Sequence, residues 1–239
     1  MKKILSILIA MAIAIVFVSC KNENNEVKKL PSRIISHEAT PFNSELFYDE
    51  QNRLVGIIRE SRGFIDTLNI VYNSEGLPIR LNGMHWNDVD ITHLNNGRKV
   101  IIHLTHSDTF WLNNNGQFTR WHQGFDGGVF RSRFSYNSNG NITRWRWRTG
   151  YRELDYDQRF RYSDVRAVFR HVNTPEWLLF WLANESVIYP FATRGYLPNR
   201  GTERNIFELD TDNYVTRWSF SDGSEFEFEF QYILATIPY

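Results

Sequence analysis

YDEQNRLVGI, residues 48–57, is a ten-residue unit that recurs along the chain and decides its fold. Four further copies align with it without gaps: YNSEGLPIRL at 72–81, LNNNGQFTRW at 112–121, YNSNGNITRW at 136–145 and LDTDNYVTRW at 209–218. In each copy the second position is Asn or Asp, the fifth is Gly or Asn, and the tenth is apolar. Gly and Asn tolerate a positive φ, and an Asn or Asp side chain caps such a turn. Each copy therefore predicts a β-hairpin.

The spacing of the copies indicates whole hairpins in series. The first and second copies begin 24 residues apart, as do the third and fourth, which fits two strands per period. The 40-residue interval between the second and third copies admits one more hairpin. We place it at residues 89–106 with an Asn96-Gly97 turn, which would pair Ile91 with Ile102 and give one apolar face.

Alternation and composition agree with a sheet that has one buried face. RWRWR at 144–148 and EFEFEF at 225–230 alternate charged and aromatic residues, and aromatics make up 15% of the chain. One helix is predicted at 174–184, where Thr174 and Pro175 precede an apolar run that should be buried. The predicted fold class is all-β with one buried helix. The strands are expected to form a large, curved antiparallel sheet of repeated hairpins, and its curvature could give a barrel-like form.

The N-terminal segment MKKILSILIAMAIAIVFVSC has two lysines, an apolar run and a small residue before Cys20. The apolar run would span about 22 Å as a helix, short of a bilayer core of about 30 Å. We therefore predict a signal peptide at 1–19, with an uncleaved signal anchor as the alternative. Residues 17–20 resemble the lipobox of bacterial lipoproteins, which implies cleavage before an acylated Cys20, the only cysteine in the chain. The membrane lipid would then be one partner.

The polar stretch after Cys20 defines the predicted domain boundaries. Residues 20–40 are expected to form the lipidated N-terminus and a flexible tether, and residues 41–239 a single hairpin-repeat domain. Lys21, Glu23 and Glu26 resemble the surface-export signal of Bacteroidota lipoproteins. The expected location is therefore the cell envelope, lipid-anchored in the outer membrane and facing either the surface or the periplasm.

Several of these features occur together in one group of proteins. The lipobox, the hairpins at 48–57, 72–81 and 136–145, the GYL segment at 195–197 and the late Tyr214-Val215 pair resemble the domain-of-unknown-function lipoproteins of Bacteroidota. That resemblance covers most of residues 40–232. It implies a large curved antiparallel sheet and no agreed activity.

The chain shows few patterns typical of an active site. It has no HExxH or GxSxG motif and no Gly-rich phosphate loop, so we expect no metal, no cofactor and no catalytic residue. Asp90 opposite His103 is more typical of a stabilising cross-strand pair than of a catalytic one. Glu225, Glu227 and Glu229 share one strand face at a separation close to that of glycosidase carboxylates. A glycan-active hydrolase of the cell envelope is therefore the alternative to a binding protein.

A non-enzymatic binding or structural role in the cell envelope is the favoured function, and the repeat supplies the candidate binding residues. Three copies end in arginine followed by tryptophan: Arg120-Trp121, Arg144-Trp145 and Arg217-Trp218. Outward-facing tryptophans would form a stacking platform for sugar rings, whereas inward-facing ones would be core. The concave side of the sheet could alternatively hold a lipid, or the domain could bind an envelope protein. Cleavage would leave about 25 basic and 27 acidic residues, a balance that does not favour nucleic acid.

Overall fold

The computed structural model describes residues 28–37, 41–83, 86–125, 128–149, 152–184, 196–199, 205–220 and 227–235. Most of them belong to β-strands, and one helix, α1, spans Glu176–Asn184. The strands are β1 (Lys29–Ser36), β2 (Phe42–Tyr48), β3 (Leu54–Ser61), β4 (Phe64–Tyr72), β5 (Pro78–Gly83), β6 (Trp86–Leu94), β7 (Lys99–Ile102), β8 (Asp108–Leu112), β9 (Phe118–Phe125), β10 (Gly128–Tyr136), β11 (Ile142–Thr149), β12 (Arg152–Arg159), β13 (Arg161–Arg166), β14 (Tyr196–Asn199), β15 (Asn205–Leu209), β16 (Val215–Phe220) and β17 (Glu227–Leu234).

Fifteen of these strands form one antiparallel sheet, and β13 and β14 pair separately. From β1 to β12 each strand pairs with the next one along the chain, as expected of consecutive hairpins. The last strand, β17, pairs with β1, so the sheet ends at β12 on one side and at β15 on the other. The sheet formed by the described strands is therefore open, and the predicted all-β fold class is confirmed.

The repeated turns all have one hydrogen-bond pattern. In the turn after β4, the Asn73 side-chain oxygen accepts bonds from the backbone N–H groups of Glu75 (3.0 Å) and Leu77 (2.9 Å), and Gly76 has a φ of 77°. The corresponding side chains accept equivalent bonds in the other four turns: Asp49, Asn113, Asn137 and Asp210. The predicted turn chemistry of the repeat is confirmed.

The tyrosines of the repeat link each hairpin to the preceding one. The Tyr72 hydroxyl donates to the Leu54 carbonyl (2.9 Å), and the Tyr136 hydroxyl donates to the Phe118 carbonyl (2.8 Å). Leu54 and Phe118 occupy the seventh position of the preceding repeat in the chain. Three further tyrosines, two of them outside the five copies, likewise donate to a backbone carbonyl earlier in the chain. Together the five form the tyrosine ladder: Tyr48, Tyr72, Tyr136, Tyr162 and Tyr232.

The extra hairpin between the second and third copies also forms as predicted. Ile91 pairs with Ile102 across β6 and β7, and both are buried. Asn96 and Gly97 have φ values of 54° and 77°, as a two-residue turn of this hand requires. His93, just before this turn, takes a place equivalent to a ladder tyrosine, because its Nε2 donates to the Pro78 carbonyl (2.8 Å).

The predicted boundary between tether and domain is wrong. Lys29–Ser36, assigned to the tether, forms β1 in the interior of the sheet, with Leu30 and Ile34 fully buried. The register shifts between Pro31 and Arg33, which disrupts the strict alternation by which a strand is recognised. The domain therefore begins about a dozen residues before residue 41.

Helix α1 packs against the inner face of the sheet, which carries the core residues. Six consecutive residues, Trp177–Leu182, are buried, so every side of the helix is covered. The Phe180 ring contacts the rings of Phe118, Trp121, Phe134 and Trp145, which lie on β9, β10 and β11. The predicted buried helix is confirmed, and its side chains occupy the concave side that was considered for a lipid. Within the described residues no helix has the length and apolar character needed to cross a membrane.

Replacing Tyr72 with phenylalanine tests the ladder. Loss of the hydroxyl that reaches the Leu54 carbonyl and lies 3.1 Å from Thr174 Oγ1 should lower the free energy of unfolding by about 1 kcal/mol at neutral pH. Burial raises the pKa of Tyr72 from 10.0 to about 12. The unfolded chain therefore loses this proton first, and the contribution of the hydroxyl should be lost as the pH rises from 10 to 12. Urea titrations at pH 10 and pH 12 would contradict this if the difference in unfolding free energy between wild type and variant did not narrow at the higher pH.

Candidate functional site: a basic outer face

Five neighbouring strands place one large side chain each in a row on the outer face of the sheet. The direct cross-strand partners are Lys99 with Trp111, Trp111 with Arg120, Arg120 with Arg133, and Arg133 with Arg146. We call these five residues the basic row. Since adjacent strands are about 4.8 Å apart, the row runs about 19 Å across β7 to β11. Their chain neighbours Val100, Phe110, Trp121 and Phe134 are buried, which fixes the outward direction of the row.

Further basic side chains lie beside the row. Arg131 pairs directly with His122 on β9 and with Arg148 on β11, and Arg144 pairs with Arg159 on β12. Together with the basic row, these five residues make up the basic face. Like charges directly opposite each other destabilise a sheet, so this arrangement works against folding. Such a cost is typical of a surface retained for binding.

Few acidic groups balance the basic face. Asp157 lies opposite Arg146 and accepts hydrogen bonds from Arg144, and this pairing holds the pKa of Asp157 below its usual value. In the described part of the chain no carboxylate forms an ion pair with Arg120, Arg131 or Arg133. The half of the face on β9 and β10 is therefore the part most open to an external anion.

The pKa of His122 reflects both its burial and the positive charges of this face. Burial lowers the pKa of its imidazole, and the charges of Arg131, Arg120 and Arg133 lower it further. The His122 ring centroid lies 4.4 Å from that of Trp111, and Lys99 Nζ lies 5.7 Å from the centre of the Trp111 ring. The face thus combines a half-buried aromatic ring with cations on both sides of it.

The predicted stacking platform does not form on the outer face. Trp121 and Trp218 are only 3% exposed, and Trp145 stacks on Phe134 while its Nε1 donates to Ser132 Oγ (3.1 Å). Successive side chains of a strand point to opposite faces of the sheet. The arginine at the ninth position faces solvent, and the tryptophan at the tenth position therefore faces the core. Trp121 and Trp218 are therefore core residues, the orientation that the sequence left open, and their assignment as ligand-binding residues is wrong.

The three predicted arginines divide between two ends of the sheet. Arg120 and Arg144 belong to the basic face, whereas Arg217 lies on β16 among acidic side chains. Its guanidinium contacts Glu227 (2.9 Å), Glu229 (3.0 Å) and Glu208 (3.5 Å). Trp111 was missed because only the tenth position of the repeat was considered. Its place after the inward-facing Phe110 was the signal that could have identified it.

A cluster near Arg217 gathers three groups that could bind a metal. The ligand atoms of His37, Glu227 and Glu229 lie within 4.8 Å of one another. The pairing of β1 with β17 brings them together, which spacing along the chain could not predict. Arg217 contacts both carboxylates, so a cation would have to displace its guanidinium. The cluster and Arg217 together form a network of ion pairs.

The side chains considered for hydrolysis do not have the required environment. The hydrogen bond from Arg217 lowers the pKa of Glu229, whereas a glycosidase general acid needs a raised one. Asp90 pairs with Arg80 (2.8 Å), and His103 Nε2 lies 2.9 Å from Thr92 Oγ1, so these two side chains are directed to other partners. Glu225 lies outside the described residues, as do Cys20 and the signal segment.

Comparisons with known proteins add little to this description. No protein-family model matches the chain, and no curated protein matches it. Among solved structures, the crystal structure of a porin-like protein from Bacteroides uniformis is similar over 85% of this chain and 96% of that chain, with 13% sequence identity and a TM-score of 0.37.

Proposed function

We propose that this protein is a non-enzymatic, lipid-anchored protein of the bacterial cell envelope that binds a linear anionic glycan on its basic face. The observation that carries the proposal is the basic row, in which Arg120, Arg133 and Arg146 lie side by side on adjacent strands. Guanidinium groups bind carboxylate, sulfate and phosphate groups through paired hydrogen bonds. A row of them suits a polymer with repeated negative charges.

Trp111 supports a glycan as the polymer. Its ring is partly exposed and lies in register between Lys99 and Arg120, so a sugar ring could stack on it while acidic substituents reach the flanking cations. The row crosses the strands, and a linear chain would therefore lie across β7 to β11. A hydrolase has no comparable support among the described carboxylates.

The lipid anchor in this proposal rests on the lipobox-like residues 17–20. Acylated Cys20 would hold the domain at the membrane through the short segment 21–28, since the first strand begins at Lys29. Lys29 pairs with Asp210 (2.7 Å) and Asp212 (2.6 Å) in the turn between β15 and β16. This turn lies at the end of the sheet that carries all five repeat turns, which we call the turn end of the strands. In this arrangement the turn end would be next to the membrane.

Titration calorimetry with defined polysaccharides tests the proposed function. We expect heparin and polygalacturonate to bind and neutral dextran not to bind. Because several charges are neutralised together, raising the salt concentration from about 50 to about 200 mM should weaken heparin binding by an order of magnitude or more. Equal binding of dextran, or an affinity that salt leaves unchanged, would refute the proposal.

A further inference from the structure

A groove of about 960 Å³ opens at the turn end of the strands, away from the basic face. Its walls are the turn after β4, the β6–β7 hairpin, the turn after β8 and the first residues of α1. Ligand sites commonly have volumes of about 300–1,000 Å³, so the groove is large enough for a small molecule. It lies on the inner side of the sheet, where Leu112 packs toward the core, whereas Trp111 of the basic row faces outward.

The groove exists because the tyrosine ladder is interrupted. Tyr72 and Tyr136 occupy ladder positions before and after it, each bonded to the hairpin before it. Between them the two corresponding positions hold smaller side chains, His93 and Leu112, and both line the groove. A tyrosine at Leu112 would place a ring and a hydroxyl in the space that is now open. Departures from an otherwise regular repeat often mark functional positions.

The chemistry of the lining favours a neutral ligand over an anion. None of the lining residues is Lys or Arg, and two of them, Glu75 and Glu176, are acidic. The side chains of Asn95, Asn96 and Asn115 are exposed and provide amide donors and acceptors. Amides pair equally well with hydroxyl donors and acceptors, and carboxylates accept from hydroxyl groups.

An apolar floor completes the groove. Leu77 and Leu112 are partly exposed in it, beside the buried Trp177, whose ring meets that of His93 edge to face at 6.1 Å. We propose that this groove binds a neutral sugar, with the apolar face of the ring on Leu77 and Leu112 and its hydroxyl groups on the amides and carboxylates. This site is independent of the basic face, because the two surfaces have opposite charge and lie on different sides of the sheet.

NMR titration of the purified protein tests this proposal. The probes are glucose, galactose, mannose and N-acetylglucosamine, with glucuronate as the anionic comparison. We expect at least one neutral sugar to shift the side-chain amide signals of Asn95, Asn96 and Asn115, and glucuronate to leave them unchanged. The proposal is overturned if none of the four neutral sugars shifts these signals, or if glucuronate shifts them as strongly.

Two ladder variants distinguish the groove from a general surface effect. Leu112→Tyr should fill the groove and weaken binding of the neutral sugar at least about tenfold. Leu209→Tyr is the matched control, because Leu209 is the first residue of the fifth repeat and lies outside the groove; binding should be unchanged. Asn115→Ala serves if Leu112→Tyr does not fold, and it should weaken binding through loss of one amide. Unchanged binding in the folded groove variant would refute the site.

Discussion

Replacing Arg120, Arg133 and Arg146 with glutamine should remove binding of an anionic glycan and at the same time make the domain slightly more stable. Each charge-assisted contact typically accounts for about tenfold in affinity, so three losses should weaken heparin binding by about a thousandfold. The stability should rise because these arginines lie directly opposite one another across β9, β10 and β11. Calorimetry with heparin and thermal unfolding measure the two effects separately.

The opposite signs of the two effects make this experiment informative. A variant that simply misfolds would lose both binding and stability, whereas the basic face predicts loss of binding alone. The matched control replaces three partly or fully exposed arginines outside the basic face, Arg62, Arg80 and Arg217, and so removes the same total charge. Binding should survive in the control. If both triple variants lose affinity equally, net charge rather than the basic face is responsible.

Of the single substitutions for which we expect a loss of stability, Trp181→Phe should produce the largest. The Trp181 Nε1 donates to the Asp108 carboxylate (2.7 Å), and both residues are buried, with exposures of 0% and 1%. Without this donor a buried carboxylate loses a hydrogen-bond partner, and the smaller ring leaves a cavity. We expect the free energy of unfolding to fall by about 3 kcal/mol, and the midpoint of thermal unfolding by about 6–12 °C.

Trp121→Phe provides the matched control for this prediction. Trp121 is also buried in the core, but its Nε1 has no hydrogen-bond partner among the described residues. Trp121→Phe reduces the side-chain volume by the same amount but also removes an unsatisfied polar group. The free energy of unfolding should therefore fall by about 1 kcal/mol or less. Chemical unfolding of the two variants side by side measures the contrast. Equal losses would show that ring volume, and not the bond to Asp108, determines the stability.

Sequence reasoning succeeded where the controlling interactions are local. An Asn or Asp and a Gly or Asn at fixed spacing within ten residues predicted all five turns, and the Asn96-Gly97 dipeptide predicted the pairing of Ile91 with Ile102. The apolar run after Pro175 predicted a buried helix. In each case the residues that determine the structure lie within a few positions of one another.

The failures occurred where the structure depends on distant partners. Strand β1 was missed because the register shift near Pro31 hides its alternation, and only pairing with β17 reveals it as a strand. The basic face was missed because it arises from the register between successive hairpins. A formal charge of zero for the whole chain concealed it, since basic residues collect on β9 to β11 while Glu208, Glu227 and Glu229 surround Arg217.

The pairing of β1 with β17 also governs when the protein can fold. Lys29 is paired with Leu234, so residues at opposite ends of the described chain must meet before the sheet is continuous. Contacts of such high sequence separation are slow to form, because a long loop must close before any pairing energy is gained. Ile34, fully buried in the finished sheet, would remain partly uncovered throughout that interval. The sheet can therefore become continuous only after residues 227–234 have been synthesised.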